Sequence, residues 1–169
     1  MLLTILPLQG IQWSNGTVRL GSTTVEVEAI LGRPEIVGES YYYFESELRL
    51  DFSEDGKLEF IEFLAGLDGK IQPVIYGIQA FQADADELYR VLEKHASGNI
   101  IDDENGYSFA FPNIGIGVYR ESTPADVISL TCELKESGVN IAGDPDIEEE
   151  QLKASHWATI SVAISEYRW

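Results

Sequence analysis

Apolar and polar residues alternate along much of this chain, and the alternation gives way to a helical period in only a few places. Leu48, Leu50 and Phe52 alternate with Arg49 and Asp51, the two-residue period of a strand with one buried face. Ser53-Glu54-Asp55-Gly56 then makes a turn, and the pattern resumes over residues 57–63. There Leu58 and Phe60 keep one phase while Ile61 and Phe63 shift it, which calls for a bulge or for burial on both faces. Residues 40–45 predict the strand before these two. Nearer the amino terminus, residues 2–8 and 12–20 read as strands. Ser14-Asn15-Gly16, between Trp13 and Thr17, accepts the positive φ of a tight turn, so a hairpin opens the chain. Residues 74–80 predict another strand, and residues 107–111 pair with 114–120 across Pro112-Asn113. Gly115 and Gly117 thin the second of that pair. In the last stretch, residues 156–169, Ala158, Ile160, Val162 and Ile164 alternate with Trp157, Thr159, Ser161 and Ala163, again a strand.

Helices are predicted where caps and periodicity coincide. Thr23 precedes Thr24-Val25-Glu26, so its hydroxyl can cap a helix while Glu26 reaches back to the cap amide, and Gly32 and Pro34 stop that helix. The clearest helix follows Asp84, with Leu88, Val91 and Leu92 on one stripe, acidic residues in the first turn and Lys94 and His95 in the last. Residues 124–135 and 145–154 each begin with proline after a capping Thr123 or Asp144. Together these elements predict an α+β fold: a mixed, mainly antiparallel sheet of about seven to nine strands with helices packed on one face. A chain of 169 residues without a linker or a change of composition is expected to be one domain, residues 1–169. No fixed-period repeat is visible.

Composition narrows the partners. Lys plus Arg is 11 against 29 Asp plus Glu, a formal net charge of −18, and such a surface repels nucleic acid. Because 44% of residues are hydrophobic, the acid is expected on a folded core and not on a disordered chain. No stretch approaches the run of about 18 apolar residues that spans a bilayer. The apolar residues 1–8 carry no preceding Lys or Arg and read as a first strand in place of a secretory signal, so a cytoplasmic location and no membrane partner are expected.

Between Gly21 and Phe63 the order is a capped short helix ending Leu31-Gly32-Arg33-Pro34, then Tyr41-Tyr42-Tyr43-Phe44, Leu48-Arg49-Leu50-Asp51-Phe52 and Asp55-Gly56-Lys57-Leu58. This resembles the helix-hairpin unit of the beta-lactamase inhibitor protein and outer-membrane SmpA/OmlA-like families. The lipid-attachment cysteine of the lipoprotein branch is missing, and no second copy of the unit is seen after Phe63. The resemblance implies an α+β scaffold used for protein contact.

Chemistry is sparse. His95 reads as a helix-end charge, and His156 could serve as a base beside Glu149 or Glu150 only if the fold supplied a nucleophile. Cys132 is expected to be a small core residue. Gly115-Ile116-Gly117 sits in a strand and lacks the third glycine of a dinucleotide loop. Asp102-Asp103-Glu104-Asn105-Gly106 lacks calcium-loop spacing and reads as a solvated acidic turn. No catalytic residue, metal site or cofactor is predicted. The expected partner-binding residues are the acidic Asp102, Asp103, Glu104, Asp144, Asp146, Glu148, Glu149 and Glu150, with Tyr42 as an aromatic anchor. Their partner would be a basic protein such as a toxin nuclease domain. In size, acidity and lack of catalytic motifs the chain resembles bacterial toxin-immunity proteins. The alternatives are a small hydrolase or ligand-binding enzyme built around His156, and an envelope-assembly scaffold.

Overall fold

The computed structural model describes residues 1–169 and is α+β, with four α-helices and twelve strands. In chain order they are β1 (Leu2–Leu6), β2 (Gly10–Trp13), β3 (Gly16–Arg19), α1 (Thr24–Leu31), β4 (Glu35–Val37), β5 (Ser40–Tyr43), β6 (Leu48–Phe52) and β7 (Leu58–Phe63). Then follow β8 (Gln72–Ile75), β9 (Ile78–Gln79), α2 (Ala85–Ala96), β10 (Ser108–Phe111), β11 (Ile116–Tyr119), α3 (Pro124–Glu136), α4 (Pro145–Ser155) and β12 (Thr159–Ala163).

The strands divide between two sheets where the pattern pointed to one. The smaller runs β3-β2-β1-β8-β9 and the larger β10-β11-β12-β7-β6-β5-β4, with only β1 and β8 parallel. One cause lies at Tyr76-Gly77, whose φ angles of 50° and 79° fold the run predicted as one strand into the two-residue hairpin of β8 and β9. β8 then lies against β1 and completes the smaller sheet.

The caps form as the sequence requires. Thr23 and Glu26 make the reciprocal capping box of α1, Asp84 accepts from the amides of Asp86 and Glu87 at α2, Thr123 pairs with Asp126 at α3, and Asp144 caps α4. Both readings of the phase shift in β7 are realised. Asp51 pairs with Phe60 but Phe52 with Leu58, so Glu59 is the extra residue of a bulge, and beyond it the neighbours Phe60 and Ile61 are both buried, on opposite faces.

The chain also runs through one order of elements twice. A hairpin, a side-chain-capped helix and a three-stranded meander appear as β1–β2, α1 and β5–β6–β7, and again as β8–β9, α2 and β10–β11–β12. Tyr41 pairs with Leu50 and Tyr43 with Leu48, just as Phe109 pairs with Val118 and Phe111 with Ile116, each residue 68 positions after its counterpart. At the centre Phe63 pairs with Ile160 and Ile61 with Val162, so a local two-fold passes through the pair Glu62 and Ser161. The fold thus repeats one order of elements that the sequence conceals. The repeat is hidden because α3 and α4 separate β11 from β12, whereas a short turn joins β6 to β7, and because equivalent positions share burial and not residue identity.

A continuous cluster of 26 buried residues draws on both halves. Val27 of α1, Leu88 and Leu92 of α2, and Leu3, Ile5, Ile11 and Ile75 of the smaller sheet join the inward residues of the larger sheet there. One face of the larger sheet is thereby covered; its other face carries Arg49, Asp51 and Glu62. α3 buries none of its residues and packs beside α4. Cys132, expected in the core, is exposed on α3, because that helix lies outside the sheets. No helix is long and apolar enough to cross a membrane.

Candidate functional site

On the outer face of the larger sheet a strip of small residues lies next to a strip of charged ones. Under the local two-fold, Gly117 on β11 takes the place that Arg49 holds on β6, and Ala110 that of Tyr42. In the first half Arg49 fills the face. Its Nη2 lies 2.6 Å from Asp51 Oδ2, its Nε donates to Asp51 Oδ1 at 3.1 Å, and the Ser40 hydroxyl donates to Asp51 at 2.6 Å. In the second half Gly117 leaves a depression. The chain end folds back over it: Tyr167 stacks on Phe60 at 4.9 Å and Trp169 meets the ring of Tyr167 at 5.1 Å. A Cβ at Gly117 would lie 2.4 Å from Trp169 Cζ3, so only glycine admits this close approach.

The result is a cavity of about 430 Å³ floored by Gly117, Ser161, Thr159 and Glu62, walled by Tyr119, Tyr167 and Trp169, and rimmed by Asp103 and Glu104. Burial pushes the Glu62 carboxyl above its usual range, against the opposing pull of the Thr159 hydroxyl and the Arg49 charge. Its ion pair with Arg49 is long, 3.6 Å, because the short bonds of that guanidinium go to Asp51. Sequence reasoning did not single out Glu62, Ser161, Tyr167 or Trp169 as site residues. The thinning of the strand at Gly117 was the one visible signal.

The acidic residues predicted as partner-binding fall into three situations. Asp102 accepts from the amide of Gly106 at 2.8 Å and closes its own loop, and Glu104 accepts from the Ser108 hydroxyl at 2.7 Å while Asp103 stands exposed beside it. Asp144 is spent on its cap; Glu148 is exposed in the first turn of α4. Asp146, Glu149 and Glu150 join Asp126 and Glu133 along a groove of about 460 Å³ between α3 and α4. Lys153 pairs with Glu149 at 2.6 Å and holds that carboxyl below its usual range. Tyr42 is elsewhere: it lies half-buried on β5, separated from the edge strand β10 by four strands.

Arg120 brings the two acidic segments together. Only 5% exposed, it donates from Nε to Gly106 O at 2.8 Å, at the end of the acidic loop, and from Nη1 to Ala154 O at 3.0 Å, in the last turn of α4. Its guanidinium lies 5.2 Å from the ring of buried Trp157 and 3.4 Å from Asp86 Oδ1. Beside it the Tyr107 hydroxyl donates to Asp126 at 2.5 Å, lowering the Asp126 carboxyl and raising the phenol. The end of the acidic loop at Gly106 and the last turn of α4 at Ala154 thus meet at Arg120.

The histidines take no such place. His95 stacks on Tyr76 at 3.6 Å, and His156 lies in a separate hollow with Glu121 and Glu149, its Nδ1 3.1 Å from Leu152 O. The Glu149 carboxylate there is committed to Lys153. No three His, Cys, Asp or Glu side chains converge closely enough to hold a metal ion. No family model matches the chain, and neither the curated proteins nor the solved structures contain a match to it.

Proposed function

We propose that the protein binds and neutralises a basic protein, acting as a cytoplasmic immunity protein that masks a cationic bacterial toxin domain. The observation that carries this reading is the meeting of two acidic segments at Arg120, next to the carboxylate-lined groove between α3 and α4. In a chain of net charge −18, that corner offers fixed anionic groups where a nuclease-like partner would otherwise hold phosphate. The field of the whole molecule speeds encounter with a cation, and the rigid corner then sets the register of the contact. The helix-hairpin resemblance at residues 21–63 adds a scaffold type suited to protein contact.

The test is capture of partners by the tagged protein from its native cell, at low and then high salt, with suppression of toxicity assayed for whatever is recovered. A stoichiometric basic partner, released more readily by salt and rendered harmless by the protein, is the expected result. A well-expressed native background that yields no basic partner sinks the reading.

A further inference from the structure

We infer that the cavity over Gly117 receives an arginine side chain of the basic partner. This inference rests on the reading of the protein as a binder of such a partner.

Three features of the cavity point to a guanidinium. The first is an under-neutralised carboxylate at its floor. Glu62 is largely buried, yet its one cationic neighbour stands 3.6 Å away and is engaged elsewhere. A buried carboxylate calls for a close, hydrogen-bonded cation. The second is charge: Glu62, Asp103 and Glu104 face a single cation in the lining, the exposed Arg168. The third is the aromatic wall of Tyr119, Tyr167 and Trp169. A planar guanidinium stacks on such rings and forks toward carboxylates, which a compact ammonium does less well. The chain already places arginine on aromatic rings twice, Arg49 at 5.8 Å from Phe60 and Arg120 at 5.2 Å from Trp157.

One buried hydroxyl in the lining is also weakly engaged: Ser161, 5% exposed, has only a 3.4 Å contact to Gly117 O. The hydroxyl offers an acceptor to an incoming N–H. The local two-fold supplies the contrast. At the equivalent place of the first half the protein's own Arg49 occupies the face, bonded to Asp51 and reaching toward Glu62. In the second half the Trp169 ring lies against Gly117 in the corresponding place, and the cavity opens beside that ring. At about 430 Å³ the cavity falls within the roughly 300–1,000 Å³ of ligand clefts.

The experiment is an NMR titration of the full chain with N-acetyl-arginine methylamide, its neutral citrulline analogue and its lysine analogue, read at the Trp169 indole and the Gly117 amide. The expected result is saturable movement of both signals by the arginine probe in the millimolar range, weaker movement by lysine and none by citrulline. Glu62→Gln should weaken the arginine probe about tenfold, and the exposed pair Asp103→Asn with Glu104→Gln should weaken it less without touching the core. Equal response to citrulline, no response of Trp169 and Gly117 at about 100 mM probe, or unchanged affinity in both variants overturns the assignment. Partner capture gives a separate reading. A basic partner captured equally by wild type and Glu62→Gln overturns the cavity as its arginine site while the proposed function stands. Arginine-probe binding with no basic partner recovered overturns the partner as the source of the guanidinium, and with it the proposed function.

Discussion

Tyr43 and Phe111 occupy equivalent places in the two halves of the larger sheet, each at the end of a strand facing the core, and they differ by one hydroxyl. The Tyr43 hydroxyl is buried with no hydrogen-bond partner, and burial pushes its pKa up to about 12. Phe111 fills its site without that cost.

Tyr43→Phe should therefore stabilise the protein, by about 1 kcal/mol, since an unsatisfied buried hydroxyl is removed and the ring retained. Urea unfolding of the two proteins measures it. A loss of stability would mean that the hydroxyl finds an acceptor in the folded protein.

The same comparison shows how much the sequence made legible. Alternation at Leu48, Leu50 and Phe52 and the caps at Thr23, Asp84, Thr123 and Asp144 set most elements, because these depend on neighbours in the chain. The split of the strands into two sheets depends on positive φ at Tyr76, a residue type that does not advertise a turn. The repeat was hidden because burial, not identity, is shared between positions such as Tyr41 and Phe109. Asp103 and Glu104 were named from charge alone, but Glu62 looks like any other strand glutamate until Trp169 and Thr159 close around it.

Arg120→Met should cost about 2–4 kcal/mol, because it leaves the carbonyls of Gly106 and Ala154 without a donor in a buried place. Methionine retains part of the packing against Trp157, so the loss reports mainly on the hydrogen bonds. Urea unfolding gives the magnitude. Hydrogen exchange should show the acidic loop and the end of α4 loosening together, and independent behaviour of the two segments would refute the role of Arg120 as their link.

Glu62→Gln should change the pH dependence of stability in a defined direction. The folded protein holds the Glu62 proton above the ordinary value of 4.5, so between that value and the raised one the folded state binds more protons than the unfolded. Stability from this group then falls as pH rises through that window. Arg49 and Asp51 from β6 and Thr159 from β12 face the carboxyl, and burial outweighs their net pull. Urea midpoints of wild type and Glu62→Gln should coincide near pH 3 and separate in favour of the variant by pH 7. A variant that is weaker only at pH 7 would show that the Arg49 pairing outweighs burial.

α3 should be the least protected helix in hydrogen exchange and α2 the most. α3 buries none of its residues and packs beside α4, whereas Ala85, Leu88, Leu92 and Ala96 of α2 are all buried. Equal protection of the two helices would mean that α3 is covered by something other than the contacts seen in the fold.

Glu133→Lys separates stability from binding at the groove between α3 and α4. Glu133 is exposed, caps no helix, and lines the groove with Asp126, Asp146, Glu149 and Glu150. A cation placed among these carboxylates relieves like-charge repulsion, so the thermal midpoint should rise in low salt and the gain should shrink as salt screens it. The same lysine would meet the proposed cationic partner with the wrong sign, and if that partner docks at the groove its capture should fall about tenfold at low salt. Stability and binding then move in opposite directions in one protein, which a simple loss of folding cannot imitate. A variant that is more stable yet captures the partner as well as wild type would remove the groove from the interface and leave the rim of the Gly117 cavity as its acidic contact.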